Sequence, residues 1–339
     1  MAFKIDIHNH ILPTAIPDFK STLGEGGFIT LKPRDDGRAD MVRDDGVFFR
    51  TIERNCFDPL ERLKDMKEQG VDVQVLSTVP VMFSEWAKPI NTQKVNRFLN
   101  ENIAETCKQH PKNFVGLGTV PLNDPKLGIE ELRYCINELG LKGVQLGSHY
   151  GELNLNDKSL FPFYEEAQKL GAALLIHPWD MMGKETMPDY WLPWLVSMPA
   201  ETSRAICCMI FGGVFETFPD LRVCFAHGGG SFPHTIGRIE HGFNMRPDLC
   251  AKDNNVNPRE YLGKFYIDSV THDPRALNYN IDLIGENSIM LGTDYPFPLG
   301  EQHAGLMIEG MDNLSHSQKD RLLHGSALEW LNMKLEDFN

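Results

Sequence analysis

The chain has 339 residues, of which 42% are hydrophobic and 24% charged, and its formal net charge is −14. That length exceeds the roughly 250 residues typical of a β/α barrel, so one barrel with an insertion or two domains both fit, and neither needs disulfides to build a core. The acidic balance argues against a broad nucleic-acid or anionic-membrane surface, and no apolar run approaches the roughly 20 residues of a membrane span.

The first strand is expected at 4–8 (KIDIH). No basic segment followed by an apolar run precedes it, so no signal peptide is expected. Seven scattered cysteines without a CxxC pair point to reduced thiols in a cytoplasmic protein. About forty residues then separate this strand from the next helix, too many for a structureless loop inside a compact domain. They carry turn signals at Gly24-Glu25-Gly26-Gly27 and Asp45-Gly46, with apolar runs between. A small β-rich insertion over 14–48, covering a barrel mouth, is the reading. Pro59 to Gly70 follows as a helix with proline in its first turn and glycine at its stop.

Further strands are expected at 72–78, 114–119, 143–147, 173–177, 222–227, 265–269 and 288–292. Several are apolar on both faces, as buried parallel strands are. Helical patterns lie between them, near 91–109, 125–139, 158–170, 199–216, 232–244 and 274–285, with a last one near 313–332. Eight strands alternating with helices predict an α/β fold, a (β/α)8 TIM-type barrel, in one domain over 1–339. A doubly wound open sheet is the structural alternative.

His8 and His10 stand two apart at the end of the first strand, so both side chains point to the same side of it. His177 ends the fifth strand, His227 the sixth, and Asp294 comes just after the eighth. Any one of these would pass as a turn or capping residue. Together they converge on the C-terminal face, where barrel active sites are built. A metal-centred site is therefore expected, with His8, His10, His177 and Asp294 as ligands and room left for a water. Nitrogen and carboxylate donors suit zinc, and also manganese, iron or cobalt. His227 comes from a different strand and suits a general base, since an imidazole titrates near neutrality.

With these residues the chain resembles the amidohydrolase superfamily and, within it, its decarboxylase branch. The segments that carry the resemblance include Lys4-Ile5-Asp6-Ile7-His8-Asn9-His10, His177-Pro178-Trp179-Asp180-Met181, Trp191-Leu192-Pro193-Trp194-Leu195, Ala226-His227-Gly228-Gly229-Gly230 and Thr293-Asp294-Tyr295-Pro296-Phe297-Pro298-Leu299-Gly300-Glu301. The likeness runs from Lys4 to about Leu331, and the last segment is specific to the family that acts on 2-amino-3-carboxymuconate-6-semialdehyde. It implies a metal-dependent carboxy-lyase working by nonoxidative decarboxylation with a metal-activated water, in tryptophan (kynurenine) or related aromatic catabolism. It implies one divalent metal, zinc being expected, because the fourth strand, Gly143-Val144-Gln145-Leu146-Gly147, lacks the bridging lysine of two-metal relatives.

The resemblance also makes His227 and Asp294 the catalytic residues. Arg50 becomes a clamp for a substrate carboxylate, Trp194 and Phe297 pocket walls, and Arg238 a residue lent to the neighbouring subunit of a homodimer. The expected partner is thus a small carboxylate substrate, with no nucleic acid and no membrane. Arg43, Arg54 and His149 are not placed by the sequence. The remaining readings are a related decarboxylase or hydratase of another aromatic or muconate-like acid, and a metal-binding protein without catalysis.

Overall fold

A computed structural model describes residues 2–338. Strand β1 runs over Ile5–Ile11, longer than expected, so both histidines of the His8-Asn9-His10 triplet lie inside it. After the short helix Phe19–Leu23 come β2 (Ile29–Pro33), β3 (Ala39–Arg43) and β4 (Phe48–Ile52). These three form an antiparallel sheet in the order β2-β3-β4. Its turns carry Gly37 and Gly46 at φ 83° and 90°, a region that glycine enters without a Cβ penalty. The sheet runs past position 48 to Ile52. Its apolar side, with Phe28, Met41 and Ile52, packs with Val79 and Met82 after the next strand and with Leu99 of the helix Pro89–Gln109.

The remaining strands are β5 (Val73–Thr78), β6 (Phe114–Thr119), β7 (Gly143–Gly147), a small hairpin of β8 (His149–Tyr150) and β9 (Leu153–Asn154), then β10 (Ala173–His177), β11 (Arg222–Phe225), β12 (Tyr266–Asp268) and β13 (Ile289–Met290). One eight-stranded sheet runs β1-β5-β6-β7-β10-β11-β12-β13, and the pairs within it are parallel. The segment after β13 then returns to β1. Ile7 N–H donates to Leu291 O at 2.9 Å, Asp294 N–H to His8 O at 2.8 Å and His10 N–H to Tyr295 O at 2.8 Å. These bonds nearly close the sheet into the expected barrel, and they bring Asp294 beside His8 although the two are far apart in the chain.

Between the strands the expected helices are present. Pro59–Gln69 starts on the Asp58 cap, has proline in its first turn and stops at Gly70 in the left-handed conformation. Strand residues alternate between two cores. Leu76, Val144, Ile176 and Phe225 pack outward against helices. Ile5, Val73, Val75, Leu117 and Leu175 fill the barrel interior, over Trp330 and Phe338 from the C-terminal segment.

Candidate metal centre and pocket

Four imidazoles and a carboxylate meet above that interior core. The ring centroids of His8, His10 and His177 lie 5.0–5.2 Å apart, and His227 is 5.1 Å from His8 and 5.0 Å from His177. Asp294 Oδ1 sits 3.1 Å from His10 Nε2 and 3.5 Å from His8 Nε2, while its Oδ2 is 3.8 Å from His227 Nε2. His8, His10, His177 and Asp294 are all under a tenth exposed.

Hydrogen bonds on the far side of each ring set its tautomer. His8 Nδ1–H donates to Asp268 Oδ2 at 2.6 Å, His10 Nδ1–H to the Thr78 carbonyl at 3.0 Å and His177 Nδ1–H to the Pro178 carbonyl at 2.9 Å. Each bond leaves the Nε2 lone pair facing the shared centre, the arrangement found around bound metals. The Nε2 atoms of His8 and His177 are buried without a hydrogen-bond partner. Asp294 meanwhile aims an acceptor at two imidazole acceptors. Acceptor against acceptor is repulsive unless a proton or a cation lies between them, so the donor set fits a metal ion.

By bare distance His8, His177, His227 and Asp294 group together, their ligand atoms all lying within 4.8 Å of one another. His10 is replaced by His227 in that grouping. Orientation separates the two: the His10 ring is fixed by Thr78, whereas both His227 ring nitrogens are buried without a partner.

Electrostatics follow the same geometry. Burial would raise the Asp294 carboxyl, but the imidazoles of His10, His227 and His8 outweigh it and hold it well below the usual range. Burial and the three neighbouring imidazoles push His177 well below its ordinary value. His8 goes up despite its burial, because Asp268 and Asp294 face it.

The backbone around the centre is unusual. His227 and Asp294 have φ of 58° and 60°, where side-chain-bearing residues are strained. The glycines after His227 let the chain turn there: a Cβ on Gly230 would lie 2.2 Å from the Pro199 carbonyl oxygen.

A pocket opens onto the centre, lined by His10, His177 and Asp294 with Arg50, Trp194 and Phe297 among its walls. The insertion delivers Arg50, whose guanidinium carbon stacks 4.8 Å from the Phe297 ring centroid and 5.1 Å from that of Phe49. Phe49, Trp179 and Trp191 also line this pocket, which strand-end reasoning could not reveal because they sit on loops and the insertion. A second cavity, sharing Trp194 and Met198 with the first, reaches His227.

Arg238 is not brought to this site; it lies exposed on the helix Phe232–Met245. His149 faces Glu201 at 3.4 Å, Arg43 pairs with Asp45, and Arg54 pairs with Asp58 at 2.9 Å, so these three have protein partners and do not line the pocket.

Two supporting residues went unseen in the sequence. Asp268 ends the seventh strand, and the strand-end rule that selected the histidines would have selected it too. Arg62, fully buried, donates to the His10 carbonyl and to Gln74 Oε1 at 3.2 Å, and so holds the end of β1; a helix arginine gives no local sign of that role.

A family model described as amidohydrolase matches residues 5–333. A 2-amino-3-carboxymuconate-6-semialdehyde decarboxylase of Dictyostelium discoideum is 55% identical over 332 residues, covering 98% of this chain and 92% of that protein. The Caenorhabditis elegans protein of the same name is 39% identical over 380 residues, covering 97% and 94%. Among solved structures, a dihydroxybenzoic acid decarboxylase from Polaromonas sp. JS666, with bound manganese and 2-nitroresorcinol, matches with a TM-score of 0.80. Its identity is 21% over 99% of each chain, a likeness of fold.

Proposed function

The chain belongs to the amidohydrolase family, and from that premise we propose that it decarboxylates 2-amino-3-carboxymuconate-6-semialdehyde, without an oxidant, to 2-aminomuconate semialdehyde. The observation that carries this reading is the nearly full-length identity to two enzymes named for that activity. The pocket supports it independently: Arg50 faces the imidazole cluster without a carboxylate partner among the described residues, as a clamp for an acidic substrate needs.

His8, His10, His177 and Asp294 would hold one divalent cation, and three nitrogens with one carboxylate favour zinc while also accommodating manganese. When bound, such an ion lowers the pKa of a water and stabilises negative charge on the substrate. The oriented rings of His8, His10 and His177 support the ligand role. The unpartnered ring of His227 supports the role of base.

His227 takes a proton from the water that attacks the conjugated system beside the carbon bearing the departing carboxylate. It returns that proton to this carbon. Breaking the carbon–carboxylate bond then releases CO2, and its electron pair re-forms the double bond as the added hydroxyl leaves. Arg50 holds a carboxylate of the substrate as a two-toothed fork, which fixes the orientation of the reacting carbon. Trp194 and Phe297 press on the planar chain and keep bulk water away.

The protein works as a cytoplasmic homodimer, a single barrel domain with the 14–48 insertion as its cover. Exposed Arg238 reaches the neighbouring subunit's pocket. Mixing Arg238→Ala with His227→Ala protein should then restore part of the activity through hybrid dimers; no recovery despite proven subunit exchange would count against sharing. The function itself is tested with metal-loaded protein and freshly generated substrate. Its absorbance should decay faster than without enzyme, and equal rates would reject the assignment.

A further inference from the structure

Asp268 is fully buried at the end of β12, and its carboxylate has no solvent contact to satisfy it. Four N–H groups do so instead. Oδ2 accepts from His8 Nδ1 at 2.6 Å and from the His227 backbone N–H at 2.8 Å. Oδ1 accepts from the Gly228 N–H at 2.7 Å and the Val270 N–H at 3.1 Å. We propose that Asp268 is a positioning residue that serves the metal ligand His8 and the base His227 with one carboxylate. The inference rests on the roles given to those two histidines above.

Its two halves do different work. Through Oδ2 it holds the His8 proton on Nδ1, so that Nε2 presents its lone pair to the centre. Through both oxygens it grips the backbone of His227 and Gly228, which have φ of 58° and 61°. A left-handed turn at a histidine persists only where its surroundings over-determine it, and two short bonds from consecutive N–H groups to one buried anion do that. No other residue type does both jobs here. Glutamate is too long: the space beside the Asp268 Cβ is already so tight that a Cβ on Gly292 would come within 2.8 Å of it. Asparagine supplies only one acceptor. With its oxygen toward His8, its NH2 confronts the N–H groups of Gly228 and Val270. Flipped, its NH2 confronts His8 Nδ1 and forces the proton onto Nε2, where it blocks ligation.

The test compares wild type with Asp268→Asn and reads two quantities on protein verified as folded by circular dichroism. Zinc affinity, measured by competition with a chromophoric chelator, should weaken by about 10–100-fold. Turnover at saturating zinc should stay reduced by about 10-fold or more, since the base is misplaced even when metal is restored. Unchanged zinc affinity and unchanged turnover at saturating zinc, with only a lower melting temperature, would overturn the proposal. If the variant does not fold, histidine-labelled wild type decides by 15N NMR: zinc-loaded protein should show His8 protonated at Nδ1 and not at Nε2, and the opposite tautomer would overturn it. Should the substrate assignment be wrong, wild type will fail to turn over, yet the affinity and tautomer readouts still judge Asp268.

Discussion

At the lower end of the barrel, β1, β5, β6 and β10 turn Ile5, Val73, Leu117 and Leu175 toward one another in an apolar cluster. Further along, β10 continues its inward alternation to His177, and an irregularity between Asp6 and Asn9 shifts the phase of β1 so that His8 and His10 face inward too, with Asp268 and Asp294 arriving from the closing side of the sheet. The backbone scaffold is the same; the consequence is opposite. The lower layer is held chiefly by apolar packing. The upper layer keeps several buried nitrogens without a partner, which costs stability and is tolerated where a ligand completes the set. A barrel thus separates stability from chemistry along its axis, so substitutions in the two layers should fail in different ways.

The sharpest contrast is at His227. His227→Ala should lower turnover by about 10²–10⁴-fold, the range for removing a positioned acid–base group, while zinc stays bound and the melting temperature barely changes. Loss of the metal itself would move His227 into the ligand set. In the lower layer, Leu175→Ala should do the reverse. It should destabilise the fold by about 2–5 kcal/mol in a urea titration, with turnover per folded molecule nearly unchanged. A large fall in that turnover would mean the layers are mechanically coupled.

Arg50→Ala comes next. Losing a charged clamp should cost about 10–100-fold in kcat/KM, and Arg50→Lys should recover only part, because a lysine lacks the planar fork. The smallest effect concerns Glu301, part of the segment that returns to β1. Burial, helped by the charge of Asp6, pushes its carboxyl from 4.5 up to about 7. Between those values the folded chain keeps a proton that the unfolded chain gives up. This group therefore favours folding at low pH, and its contribution is lost as pH rises through about 7. Glu301→Gln, which is always neutral, should gain about 1–3 kcal/mol on wild type at pH 8 relative to pH 5. An equal difference at both pH values would show that Glu301 titrates normally.

Much of this was legible before folding. Short apolar runs, several of them apolar on both faces as parallel strands are, located the eight barrel strands, and a His or Asp at the C-terminal end of a strand marked the centre. His8, His10 and His177 needed no long-range information to be placed on one face of the barrel. The ends were less legible. β13 spans only Ile289–Met290, because the chain beyond Met290 leaves the ladder to close on β1. The pocket walls Trp179 and Trp191 lie on a loop with no periodicity to read.

By itself, then, the sequence determined which residue types stand at the strand ends, and so what chemistry the barrel mouth holds, since strand alternation is a local rule. Only the tertiary structure decided which nitrogen of each imidazole faces the centre. That choice depends on partners such as Asp268, 260 positions from His8 in the chain, and on the closing bonds that set Asp294 against β1. Such contacts arise from closing the sheet, and a pairing across that distance leaves no periodicity in either segment.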